Sequence, residues 1–138
     1  MSTQDPIVIV AAKRTPMGGF MGGLSAVSAT TLGATAIRGA MQAANLSNDQ
    51  VDEVIMGCVL PAGLKQAPAR QAALEADLDL STACTTINKV CGSGMKAAMQ
   101  AHDALLAGSI DIAIAGGMES MTNAPHLLKW GTVKYLII

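Results

Sequence analysis

Short β-branched runs alternate along this chain with longer stretches in which apolar residues return at helical spacing. That alternation restricts the fold more than any other feature. The first run, IVIVAA at 7–12, follows Pro6 and reads as a buried strand. A loop carrying Gly18, Gly19, Gly22 and Gly23 leads to a helix that starts near Thr30 or Thr31. Its apolar positions are Leu32, Ala36, Ile37, Ala40, Met41 and Ala44, and Asn45 with Ser47-Asn48-Asp49 ends it. A second strand is expected at 51–60, punctuated by Gly57 and stopped by Pro61. Pro68 then opens a helix over 69–78, because a first-turn N–H needs no intrahelical partner.

Residues 82–90 (TACTTINKV) read as a third strand that runs straight into Cys91-Gly92-Ser93-Gly94 and a helix over 95–108. The apolar stripe expected on that helix is Met95, Ala98, Met99, His102 and Leu105 or Leu106, with Gly108 as its stop. IDIAIA at 110–115 is the fourth strand, ended by Gly116-Gly117. Strands joined by helices run parallel through right-handed crossovers, so the fold class is α/β, a mostly parallel sheet with helices on its faces. Chemistry in such sheets sits beyond the carboxyl ends of the strands, which is where Cys91 falls.

The length of 138 residues suits one domain. Aromatic residues make up 2% of the chain against 51% hydrophobic, so the core must be built from Ala, Leu, Ile, Val and the nine Met. A net charge of −1 supplies no general electrostatic footprint for nucleic acid or an anionic membrane, and neither is expected as a partner. Three cysteines without a CxxC pair indicate neither a disulfide framework nor a metal site. The opening has no basic n-region and its apolar run is too short for a secretory signal, so the expected location is cytoplasmic.

Cys91 is the foremost candidate for chemistry. A thiol at a helix N-terminus meets unpaired N–H groups and the positive end of the dipole, which favour thiolate, and Gly92 and Gly94 leave an electrophile room to approach. The alternative is a small buried hydrophobe; the order strand, Cys-Gly-Ser-Gly, helix favours the nucleophile. Cys58 and Cys84 read as packing residues inside strands, and His102 as a hydrogen-bonded histidine of the core. His126 follows Pro125 in a loop with no partner set by spacing. Arg14 reads as an anion ligand or as one half of a surface ion pair, the commoner fate. Glu119 reads either as an acid or base or as a loop cap accepting backbone N–H bonds.

Three ordered segments carry a family resemblance: INKVCGSGMKA at 87–97, GGMESMTNAP at 116–125 and VAAKRTPMGGF at 10–20. Together they resemble the N-terminal part of the thiolase family, in its acetyl-CoA acetyltransferase type, over residues 1 to 128. The resemblance implies a thiolase-like fold of paired βαβαβαββ halves, of which this chain would hold part of the first, and a homo-oligomer for the full-length members of the family. It also implies that Cys91 attacks the carbonyl of an acyl-CoA to give an acyl-thioester intermediate, with the coenzyme A thioester as substrate and no permanently bound cofactor. The family's Gly-His-Pro and Cys-x-Gly motifs, which supply a base and a second acid/base cysteine, are not among these residues. The 138-residue chain is therefore expected not to turn over alone.

Residues 1–128 are accordingly read as a truncated N-terminal thiolase domain, and 129–138 as a divergent hydrophobic tail. Within that tail TVKYLII at 132–138 has the alternation of an edge strand. Two other readings stand beside this one: a non-catalytic half-thiolase serving as a scaffold or interaction module, and a 3-ketoacyl-CoA thiolase of fatty-acid degradation. A thiol-redox protein lacks the resolving cysteine, and GGMESMTNAP favours a thiolase over a ketoacyl synthase.

Overall fold

The computed structural model describes residues 7–128. The tail at 129–138, with its expected edge strand, lies outside them. In chain order the elements are α1 (Ala29–Ala44), β1 (Glu53–Gly57), α2 (Pro68–Glu75), β2 (Ala83–Ile87), α3 (Ser93–Leu106), β3 (Ala113–Gly117) and a 3₁₀ turn at Met121–Asn123. The three strands form one parallel sheet in the order β2-β1-β3. Chain direction reverses across the sheet between the first and second crossovers. Right-handed connections then require α2 and α3 to lie on opposite faces.

Side-chain alternation divides the core accordingly. Val54 and Met56 of β1, with Cys58 just beyond it, join Ala34, Ile37 and Met41 of α1 and Ala69, Ala72 and Ala73 of α2. Ile55 faces the other way, against Ala97 and Ala101 of α3. α1 begins where Ser28 Oγ accepts the Thr31 N–H at 3.1 Å. It ends on Asn45 in the left-handed conformation, whose N–H reaches the carbonyls of Met41 and Gln42. Both ends match the sequence reading within about two residues. α2 carries Pro68 in its first turn as expected, but stops at Glu75 because Asp77 turns left-handed.

Four differences from the sequence reading have physical causes. The expected first strand at 7–12 is not a strand, so the sheet has three strands among the described residues rather than four. A strand exists only through a ladder, and nothing among the described residues pairs with this run; Ile9 is 90% exposed. The last strand starts later than expected, at Ala113, because the Asp52 carboxylate takes the N–H groups of Asp111 and Ile112 at 2.8 and 2.9 Å. It then continues through Gly116 and Gly117, which the sequence reading took as its end.

The expected apolar stripe of α3 faces outward. Ser93, Ala97 and Ala101 are its buried residues, while Met95, Met99, Leu106 and His102 are exposed. Gly57, Gly116 and Gly117 let the first turn of the helix sit directly on the sheet, where Ala97 and Ala101 pack on Ile55, Ile87 and Ala113 and the bulky side chains turn away. His102 is therefore a surface residue beside Asp103, 3.4 Å away, and not a core histidine.

Candidate active site

The ladder aligns Gly57 of β1 with Ile87 of β2 and with Gly117 of β3, so the three strands finish level. The loops leaving them begin at Cys58, Asn88 and Met118 and gather at the carboxyl end of the sheet. α3 starts directly against this end. A Cβ on Gly57 would lie 2.6 Å from the Ser93 carbonyl carbon and 2.7 Å from the Gly94 nitrogen. Only glycine allows that approach. Gly94 in turn packs on the backbone of Gly116 and Gly117 at ordinary contact distance, so its bareness serves helix–sheet packing as well as access.

The turn between β2 and α3 is tight. Val90 has φ 48°, a left-handed conformation that costs a β-branched residue on the order of 1–3 kcal/mol. Side chains hold it there. Asn88 Oδ1 accepts the Val90 N–H at 2.9 Å, and the Ser93 hydroxyl donates to the Val90 carbonyl at 2.6 Å. The same Ser93 oxygen accepts the Lys89 N–H at 2.8 Å. Gly92 N–H closes the turn on the Lys89 carbonyl at 3.0 Å. Cys91 is exposed at the apex, two residues before the first residue of α3.

Three loops are tied together around this turn. Glu119, just past β3, accepts the Val59 N–H at 2.7 Å and the Leu60 N–H at 3.1 Å. Asn88 donates its amide to the Val59 carbonyl at 3.0 Å. Of the two roles open for Glu119, the geometry supplies the loop cap. Cys58 is buried and its thiol lies 3.8 Å from Glu119 Oε1. Burial, then the neighbouring carboxylate, pushes that thiol up to about 11, which keeps it protonated and unreactive. Cys84 is held neutral chiefly by burial as well, and it donates to the Thr82 carbonyl at 3.5 Å. Both behave as packing residues, as expected.

The histidines do not join the site. His102 sits nine residues into α3, about 14 Å along its axis from the turn. His126 is exposed in the final described loop. Among the described residues, the Cys91 thiol makes no hydrogen bond and no group of three or more His, Cys, Asp or Glu is placed to hold a metal ion. Arg14 lines a cleft of about 380 Å³ between residues 14–20 and 119–122, with no hydrogen bond or ion pair among the described residues. The residues that sequence reasoning missed are Asn88 and Ser93. An Asn three residues before a Cys and a Ser two after it are the available signal, since both side chains bond neighbouring backbone readily.

Comparison with known proteins is direct. The family described as Thiolase, N-terminal domain, matches residues 7–135. The human mitochondrial acetyl-CoA acetyltransferase is 52% identical over 133 residues, covering 96% of this chain and 31% of that protein. The Mus musculus mitochondrial acetyl-CoA acetyltransferase is 50% identical over the same share of this chain. Among solved structures, the Acat5 thiolase from Ascaris suum in complex with coenzyme A superposes with a TM-score of 0.88 at 38% identity, over 91% of this chain and 33% of that one. The chain thus spans about a third of the length of the relatives it matches. These relatives overturn the cytoplasmic expectation, since those curated proteins are mitochondrial. The short apolar opening argued against a secretory signal alone.

Proposed function

This chain belongs to the thiolase family, and on that premise we propose that Cys91 is the nucleophile of an acetyl-CoA C-acetyltransferase, accepting an acyl group from a coenzyme A thioester. The observation that carries the reading is the exposed thiol on a side-chain-braced, left-handed turn at the start of α3. The Cys91 sulfur adds to the acyl carbonyl, the carbon–sulfur bond to coenzyme A breaks, and CoA leaves as its thiolate and takes up a proton. An acyl-enzyme remains, dividing one acyl transfer into two easier steps. Helix α3 contributes its N-terminal dipole at the sulfur, and the glycines on either side of Ser93 leave the approach open.

A positioned base contributes about 10²–10⁴-fold to such a step. None bonds the Cys91 sulfur among the described residues, so acylation of this chain is slow and stops at the intermediate. The substrate is an acyl-CoA; neither nucleic acid nor a membrane belongs to the reading, and no helix of the described residues is long and apolar enough to cross one. Residues 1–128 act as the nucleophile-bearing part of a thiolase that assembles with further copies.

Acetyl-CoA supplied to the purified chain should release one equivalent of CoA and leave an acetyl group on the peptide carrying Cys91, with no acetoacetyl-CoA formed. Release of CoA without an acetylated Cys91 peptide would contradict the assignment. Preferential acylation by longer-chain acyl-CoA would favour the 3-ketoacyl-CoA thiolase instead. The outward apolar face of α3 favours a second reading, in which the chain serves as an interaction module whether or not it is acylated.

A further inference from the structure

Two serines start helices in this fold, and they behave differently. Ser28 does what an N-cap serine does: its oxygen accepts the N–H of Thr31, three residues ahead inside α1. Ser93, the first residue of α3, reaches backward out of its helix. Its oxygen accepts from Lys89 N–H at 2.8 Å while its hydroxyl hydrogen goes to the Val90 carbonyl at 2.6 Å. Ser93 is buried to 4% exposure and contributes nothing to capping α3. With donor and acceptor both engaged, its oxygen is also not available as a nucleophile.

We infer that Ser93 is a positioning residue for Cys91, with its hydroxyl and the Asn88 amide oxygen together clamping Val90 in the left-handed conformation that sets where the thiol points. The inference rests on Cys91 as the nucleophile and adds what holds it. Val90 immediately precedes Cys91 in the chain, so its dihedral angles set how Cys91 leaves the turn. A valine released from both clamps relaxes to negative φ, since only its surroundings hold it otherwise. The turn would then open and Cys91 would lose its fixed place before α3. Gly57 seals the arrangement from beneath, leaving Ser93 no room to retreat.

The test compares the rate of Cys91 alkylation by iodoacetamide in the native chain with its rate in the same chain unfolded in urea, mapped by peptide mass. A thiol held at a helix N-terminus should react about tenfold faster native than unfolded in the parent. Ser93→Ala should bring that ratio to about one. Asn88 is exposed, so its substitution opens no cavity in the core. Asn88→Ala, which removes the acceptor for the Val90 N–H together with the bond to the Val59 carbonyl, should lower the ratio. Asp52→Ala, at the opposite end of the sheet, loosens the fold without touching the turn and should leave the ratio unchanged.

A parent ratio near one, or parent-like ratios in folded Ser93→Ala, overturns the inference. Where Ser93→Ala fails to fold, a parent-like ratio in Asn88→Ala overturns it equally. Failure of the underlying reading looks different: a high, clamp-dependent ratio without acetyl uptake from acetyl-CoA rejects the acyltransferase and leaves the positioning role standing.

Discussion

Gly57 and Ser93 meet so closely that a methyl group on Gly57 would stand 2.6 Å from the Ser93 Cβ. The strand that anchors the sheet therefore also fixes the first turn of the helix that carries the nucleophile. Gly57→Ala is expected to destabilise the fold by about 1–3 kcal/mol through overpacking. It should also lower Cys91 alkylation, because α3 must shift to make room. Urea unfolding and the alkylation rate measure the two effects, and a stable variant with a parent-like thiol would show that the contact is slack.

Glu119 closes the site from the β3 side through the N–H groups of Val59 and Leu60. Glu119→Ala leaves both donors without their charged acceptor and should cost about 2–3 kcal/mol in urea unfolding. Amide exchange at Val59 and Leu60 should rise in the same variant. Were Glu119 instead a reacting acid or base, its removal would abolish acyl chemistry without disturbing those amides.

Stability should fall at alkaline pH because of Cys58. The folded state keeps the proton on this thiol up to about 11, whereas the unfolded chain releases it near the ordinary value of 9.0. The folded form then binds more protons than the unfolded one, so the contribution is complete below pH 9.0 and is lost as pH rises through about 11. The loss is on the order of 2–3 kcal/mol. Cys84, raised in the same direction, adds to it. Unfolding curves of the parent and of Cys58→Ala across this range should converge as pH rises, and parallel curves would remove Cys58 as the cause.

The elements that were legible in the sequence are those whose signals are local. The start of α1 near Thr30 and its stop at Asn45 were read because helix ends are marked by their own residues, and the strand, Cys-Gly-Ser-Gly, helix order located Cys91 at the carboxyl end of the sheet. What was not legible depends on partners distant in the chain. IVIVAA has every mark of a strand, but pairing needs a neighbour and none is described. On α3, hydrophobicity ranked Met95 and Met99 above Ala97 and Ala101, but it is the alanines that pack on Ile55, Ile87 and Ala113 of the sheet. The clamp on Val90 was missed because Asn88 and Ser93 are ordinary turn residues until their bonds are seen.

The outward face of α3 predicts self-association. Met95, Met99 and Leu106 are 68%, 52% and 51% exposed along one helix. The double variant Met99→Gln with Leu106→Gln should bind less anilinonaphthalene sulfonate and sediment closer to a monomer. Its unfolding free energy should stay within about 0.5 kcal/mol of the parent, as surface changes do. Unchanged dye binding and sedimentation would place the sticky surface elsewhere.

The nucleophilic role of Cys91 is tested most directly by the intact mass of the purified chain after incubation with acetyl-CoA, beside Cys91→Ala. The account predicts a single acetyl adduct on the parent and none on the variant, because Cys58 and Cys84 are held as neutral thiols by burial. No adduct on the parent, or equal labelling of both chains, would contradict it.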